Sequence, residues 1–420
     1  MKKKFVSTLG LLGLSTILLA ACGGGGTDGS DAGGKTQGDK VVTYALWDKS
    51  YAAAIEDVAD KFKEETGIEV KLEITPWAQY WTKLETAVTG KNAADVFNVN
   101  IPRAIDYIEN GVLEPLDGIN VELDKIPEQY LQSYTGSDGK LYGIPKDFDT
   151  NALFYNKTMF DEAGIAYPDE SWTWETWSDV AKQLTNEAEG IYGMAVAPTW
   201  QGGYYETIYQ NGGSPFIDDG KKSGFDTPEA IEGIEFWHSF VEDGSGTPIE
   251  LITNTNSNEL LLSGKVAMAV DGSYQVPILF EEEFGIQNID VAPLPKGKER
   301  ATTSNSLANV VFSGSKNKEA AKQWIEFLSS EESMKTVAEA GGIIPVLEGT
   351  QDAWVNAHPD KNIQVFIDAV EYAVPLPGYK NSSAAIAIEQ DLINQAWTGE
   401  LTVEEASKQI AEKANALLAK

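Results

Sequence analysis

Between Val41 and Val99 the apolar residues change period four times, and this alternation restricts the fold more than any other feature of the chain. Val41 to Leu46 is a short β-branched apolar run, the mark of a buried strand. Ile55, Val58, Ala59 and Phe62 then recur at helical spacing through residues 52 to 66, with Gly67 placed to close the helix. Ile68, Val70, Leu72 and Ile74 alternate as a second strand up to Pro76. A helix from about Gln79 to Val88 follows, and Ala94 to Val99 reads as a third strand. A β-α-β-α-β order requires a parallel sheet covered by helices on both faces. Ligands of such sheets bind beyond the carboxyl ends of the strands. Trp47, Asp48, Trp77, Asn98 and Asn100 lie at or just past those ends.

A second set of elements begins at the short strand Leu141 to Pro145. Trp172 to about Glu189 is predicted as a helix capped by Thr173, and Pro228 to Val241 as another, entered through Thr227 with Pro at its first position. Val266 to Val270 and Ile289 to Ala292 read as strands. Asn317 is placed to cap a helix running to about Ser329, and helices over about Ser383 to Trp397 and Val403 to Leu418 close the chain. Thr402 with Glu405 forms a capping box for the last of these.

The first 39 residues are of another kind. Lys2, Lys3 and Lys4 precede an apolar run from Phe5 to Ala21, the layout of a secretory signal over residues 1–21. Leu19-Ala20-Ala21-Cys22 resembles the bacterial lipobox, and Cys22 is the only cysteine of the 420 residues, so lipidation is expected there. Residues 22–39, rich in Gly and small polar side chains, read as a flexible tether, and a diacylated cysteine on such a leash holds a soluble domain at a membrane surface. The expected location is the extracellular face of a bacterial cytoplasmic membrane.

Composition removes other classes. With 64 acidic and 32 basic side chains the formal net charge is −32, which repels nucleic-acid backbones. One Cys and two His leave no thiolate metal cluster or zinc site in prospect, and neither a metal nor a cofactor is expected. Asp147-Phe148-Asp149-Thr150-Asn151 imitates the start of a calcium loop, but Ala152 and Thr158 stand where that loop needs Gly and Glu. Neither a nucleophile elbow nor a phosphate-binding Gly-Lys loop is present.

The motifs in order then carry a family resemblance. Ala59-Asp60-Lys61-Phe62 to Val70, Ala94-Asp95-Val96-Phe97, Gly111 to Leu116, and Tyr142-Gly143-Ile144-Pro145 to Tyr155-Asn156-Lys157 come first. Phe160 to Ile165, Ser171 to Trp174, Ser263 to Met268, Ala292 to Pro295, Glu319 to Lys322, Phe327-Leu328 and Gly342 to Pro345 follow. Together they resemble the extracellular solute-binding proteins of ABC importers, in the carbohydrate branch that includes the maltose-binding proteins (family 1). The resemblance implies an α/β, two-lobed periplasmic-binding-protein-like fold, each lobe a mainly parallel sheet with helices on both faces. It also implies three interlobe crossings, near Tyr142 to Pro145, Leu294 to Gly297 and Ile344 to Leu347. On that basis lobe one is 40–144 plus 297–345 and lobe two 145–296 plus 346–420. The implied role is capture of a sugar in the interlobe cleft and delivery to the permease subunits, by a monomer that is not an enzyme.

A sugar site needs flat aromatics for apolar C–H faces and acids or amides for hydroxyls. Trp47, Trp77, Trp81, Trp200 and Tyr204, at strand ends or in Gly-rich loops, are the stacking candidates. Tyr274 joins them where the family usually carries a Trp. Asp48, Asn98, Asn100, Asp147, Asp149 and Asp271 are the polar candidates. Trp172, Trp174, Trp177, Trp237 and Trp324 fall on core-like stripes and are assigned to packing. Arg103 is the only arginine placed near a strand end, so the expected ligand is a neutral mono- or oligosaccharide, with oligosaccharide favoured by the several aromatics. The alternative from another class is a secreted glycosidase using paired carboxylates.

Overall fold

A computed structural model describes residues 40–47 and 49–419. The expected signal peptide, the Cys22 lipidation site, the tether and Asp48 lie outside the described residues.

The strands are β1 (Val41–Leu46), β2 (Glu69–Ile74), β3 (Val96–Asn100), β4 (Gly143–Pro145), β5 (Asp147–Asn156), β6 (Tyr192–Ala195) and the short pair β7 (Phe216–Ile217) and β8 (Lys222–Ser223). They continue as β9 (Val266–Gly272), β10 (Ile289–Ala292), β11 (Thr302–Asn305), β12 (Leu307–Val311), β13 (Ile344–Pro345) and β14 (Ala373–Pro375). Helices α1 (Lys49–Thr66), α2 (Trp77–Thr89) and α3 (Ile101–Glu109) follow the first three strands. Among the described residues one sheet has the order β2-β1-β3-β12-β4; a second has β14-β11-β5-β9-β6, with β10 and β13 also on β5.

The N-terminal reading holds closely. β1 pairs in parallel with both β2 and β3, and every residue of β3 is buried, as a central strand covered on both faces must be. The edge strand β2 carries Lys71, Glu69 and Glu73, charges that discourage pairing with another chain. Caps expected at Thr173 and Thr227 are made, each hydroxyl accepting from the backbone N–H three residues on. The capping box of Thr402 and Glu405 is complete. The helix from Trp174 stops at Gln183, short of Glu189, because the chain turns at Asn186 to pair with Ile191. Asn317 caps no N–H; its side chain donates instead to Val41 O and Asp95.

The second sheet is mixed. β5 runs antiparallel to β9, β10, β11 and β13, while β6 and β9, and β11 and β14, are parallel. Its direction follows from its origin: β5 continues from β4 through Lys146 alone and so leaves the first sheet in an extended conformation.

The second passage between sheets lies at Ser306. Expected near Leu294 to Gly297, it comes later because Lys296 pairs with Thr173 and Glu299 N–H donates to Gln210 O, which keeps this stretch beside the second sheet. β11 pairs with β5 and β14, and β12, one residue on, pairs with β3 and β4. β13 also pairs with β5, and the next residue, Val346, donates its N–H to Lys146 O, so this segment lies beside the passage at Lys146.

The aromatic residues assigned to packing do pack. Trp324 is fully enclosed with Tyr44 and Phe62 beside the first sheet. Trp177 and Trp237 are enclosed with Phe240 beside the second. Trp174 lies flat on Phe236, 3.9 Å between ring centroids.

Candidate functional site

Register brings the candidate residues to one region. Leu307 stands opposite Asn100 and Ala308 opposite Pro145, so the chain leaves the first sheet at the carboxyl end of β3, the edge to which β1 delivers Trp47. Beyond the crossing, Asp149 is opposite Asn305, and Asn151 and Ala152 are opposite Gly272 and Asp271. The carboxyl end of β9, with Tyr274 just after it, and that of β6, which leads to Trp200, therefore lie at the crossing edge of the second sheet.

On the first-sheet side Trp47, Trp77 and Trp81 form one cluster. Trp47 contacts Trp77 at 5.0 Å, Tyr80 at 4.6 Å and Trp81 at 5.7 Å between centroids, mostly edge to face. Trp77 opens α2 and is 51% exposed, a large apolar face left to solvent. Tyr80, which the sequence did not single out, is the buried buttress: its hydroxyl donates to Asn98 O at 2.9 Å and accepts from Asn98 N–H at 3.1 Å. The guanidinium of Arg103 sits 4.0 Å over the Trp81 ring, and burial lowers its pKa.

On the second-sheet side Tyr274 is 39% exposed, and its ring lies across the backbone of Gly272, where a Cβ would be 2.2 Å from Cε1. Asp271 accepts from Ser257 Oγ, Gln275 Nε2 and Gly272 N–H, so its carboxylate is committed to shaping the turn that presents Tyr274. Burial raises its pKa despite these donors. Trp200 is half-buried on a loop that is not helical at Gln201 to Gly203; Gly202 takes φ +67°, a left-handed conformation suited to glycine.

Between them lie the crossing-strand carboxylates. Asp149 is half-buried and accepts from Gln201 Nε2 at 2.8 Å and Asn305 N–H at 3.1 Å through Oδ1. Burial, with Asp147 and then Glu206 nearby, pushes its carboxyl up to about 7. Tyr274 is close enough for the Asp149 charge to raise its phenol pKa further, although burial is the main cause. Asp149 and Asp271 are half-buried and Tyr274 is exposed, so all three keep solvent access.

Four candidates turn inward. Asn98 donates to Tyr44 Oη and Asn309 Oδ1, a polar knot inside the first sheet. Asn100 is equally enclosed, its Oδ1 without a partner among the described residues. Tyr204 has no exposed surface and packs on Tyr205 and Phe225, so it offers a ligand no face. Asp147 is buried too, accepting from Leu307 N–H and pairing with Lys146. Gln201, Lys146 and Glu206 complete the region and were missed; Glu206 left one signal, a lone charge inside the apolar run Tyr204 to Ile208.

Residues 57–363 match the family described as bacterial extracellular solute-binding protein. The chain is 24% identical over 422 residues to the maltooligosaccharide ABC transporter solute-binding lipoprotein of Streptococcus pneumoniae, covering 95% of this chain and 94% of that one. It is 26% identical over 363 residues to the diacetylchitobiose binding protein of Streptomyces coelicolor, covering 84% of each. The structure superposes on an ABC substrate-binding protein of Listeria monocytogenes in complex with cycloalternan, with TM-score 0.83, 24% identity, and 90% and 98% of the two chains covered. The two-sheet fold with its crossings and a family match over most of the chain lead to one conclusion: this chain belongs to the bacterial extracellular solute-binding proteins.

Proposed function

We propose that this chain is the sugar-capturing component of an ABC importer, binding a neutral oligosaccharide between its two lobes and presenting it to the permease. The observation that carries this reading is the presence, at the crossing edges of the two sheets, of exposed aromatic faces and of one carboxylate, Asp149, that keeps an oxygen for a hydroxyl. Trp77 and Tyr274 supply the faces; Asp149 supplies an acceptor with one oxygen free of protein donors among the hydrogen bonds described. Relatives named for maltooligosaccharide and diacetylchitobiose support the same class. We place the lobe changes at Lys146, Ser306 and Val346. A ligand held by both lobes favours the closed arrangement by its differential affinity.

Catalysis by paired carboxylates is not favoured. Asp147 and Glu206, whose charges act on Asp149, are buried and held by internal donors, which leaves neither open to a sugar. Anchoring through Cys22, a monomeric state and the permease partner complete the proposal.

The test is thermal unfolding of the purified protein with neutral mono- and oligosaccharides. A sugar at 100 times its Kd should stabilise by about 2.7 kcal/mol. No shift with any neutral sugar, or release of shorter sugars on incubation, would overturn the reading.

A further inference from the structure

We propose that Glu206 is a positioning residue that fixes the Trp200–Gly203 loop to the crossing strand β11, so that a sugar's contact with the loop is transmitted to the hinge. The proposal rests on the sugar-site reading above for its ligand, but not for its geometry.

Glu206 is 1% exposed and is paired with no cation among the described residues. Its carboxylate joins three segments. Oε1 accepts from Asn151 Nδ2 on β5 at 3.0 Å, from Gly202 N–H at 3.2 Å and from Thr303 Oγ1 at 2.6 Å; Oε2 accepts from Thr303 N–H at 2.7 Å. Two backbone N–H groups and one amide NH2 can only donate, so the centre of this junction must be an acceptor. Glu206→Gln would turn an NH2 toward Thr303 or Gly202 and leave a buried donor facing a donor. Burying a carboxylate is costly; these donors offset part of that cost, and burial still raises its pKa.

A parallel tie runs through the site itself. Gln201, next to Gly202, donates to Asp149, which also accepts from Asn305 N–H, so β5, loop and β11 are joined twice. Asn305 is one residue before the crossing at Ser306. A loop fastened to this strand cannot shift under a ligand without pulling on the passage between lobes.

The decisive experiment uses the full chain with Glu206→Gln, and Thr303→Val as a milder variant that removes one hydroxyl donor and keeps the backbone bond. Amide exchange without sugar should rise about tenfold over residues 200–204 in Glu206→Gln, and less in Thr303→Val, while β1 and β3 keep wild-type exchange. Affinity for maltotriose and diacetylchitobiose should fall about tenfold, and the loss should shrink to about twofold in a Trp200→Ala background, because Glu206 acts through that loop. Unchanged exchange over 200–204 in both variants overturns the proposal, as does an affinity loss of the same size with and without Trp200. If neither sugar binds the wild type, the exchange result alone decides the positioning role, and only the choice of sugar has failed.

Discussion

The ammonium of Lys146 is buried against the carboxylate of Asp147, at the dipeptide where the two passages between the sheets meet the segment after β13. Lys146 N–H donates to Leu307 O, Leu307 N–H donates to Asp147 Oδ1, Ser306 Oγ donates to Asp147 O, and Val346 N–H donates to Lys146 O. The ammonium also lies 4.0 Å over the Tyr51 ring. Removing one partner of a buried ion pair leaves the other uncompensated and costs about 3–5 kcal/mol. Asp147→Asn should therefore lower the urea midpoint of unfolding sharply, and an unchanged midpoint would contradict this account of the hinge.

Exposed and buried aromatics should separate cleanly in binding. Trp77→Ala and Tyr274→Ala remove faces open to solvent, so each should weaken sugar binding by about 1–3 kcal/mol with little loss of stability. Tyr204→Phe should leave affinity unaltered, since its hydroxyl is enclosed and has no partner among the described residues. Calorimetry with maltotriose distinguishes the two groups.

Affinity should depend on pH through Asp149. Its carboxyl titrates at about 7 in the folded protein, and a hydrogen bond to the ionised form is about twice as strong as one to the neutral form. Sugar affinity should weaken several-fold between pH 8 and pH 6, and Asp149→Asn should abolish that dependence. A flat profile in the wild type would remove Asp149 from the ligand contacts.

Glu389 should make the fold less stable as pH rises. It is fully buried, accepts from Tyr205 Oη at 2.7 Å, and burial pushes its carboxyl up to about 8. The folded state thus holds a proton that the unfolded chain releases near its ordinary value of about 4.3. The stability this proton confers is complete below that value and is lost as pH rises toward 8, at up to about 1.4 kcal/mol per unit. Glu389→Gln should flatten this contribution, so its melting temperature should exceed the wild type's at pH 8 and above. Parallel curves for the two proteins would refute it.

Membrane attachment should depend on Cys22. Cys22→Ser should release the protein or leave its precursor unprocessed, as fractionation of expressing cells would show. Unchanged maturation and retention would count against lipidation.

Local pattern alone determined the opening strands and helices, the caps at Thr173, Thr227 and Thr402, and the delivery of Trp47, Trp77 and Asp271 to or just past strand ends. These follow from periodicity and capping, which act within a few residues of chain. Tertiary structure decided which of those ends face outward. Asn98 and Tyr204 were read as cleft residues, yet Asn98 is drawn inward by Asn309, 211 positions away, and Tyr204 packs on Tyr205 and Phe225 with no surface exposed. Alternation along a strand says only that neighbours point to opposite faces; which face is sealed depends on what packs there. The same distance hid Glu206 and the passage at Ser306. Their partners lie on β5 and β11, segments about 150 residues apart in sequence that become neighbours only when the second sheet is assembled.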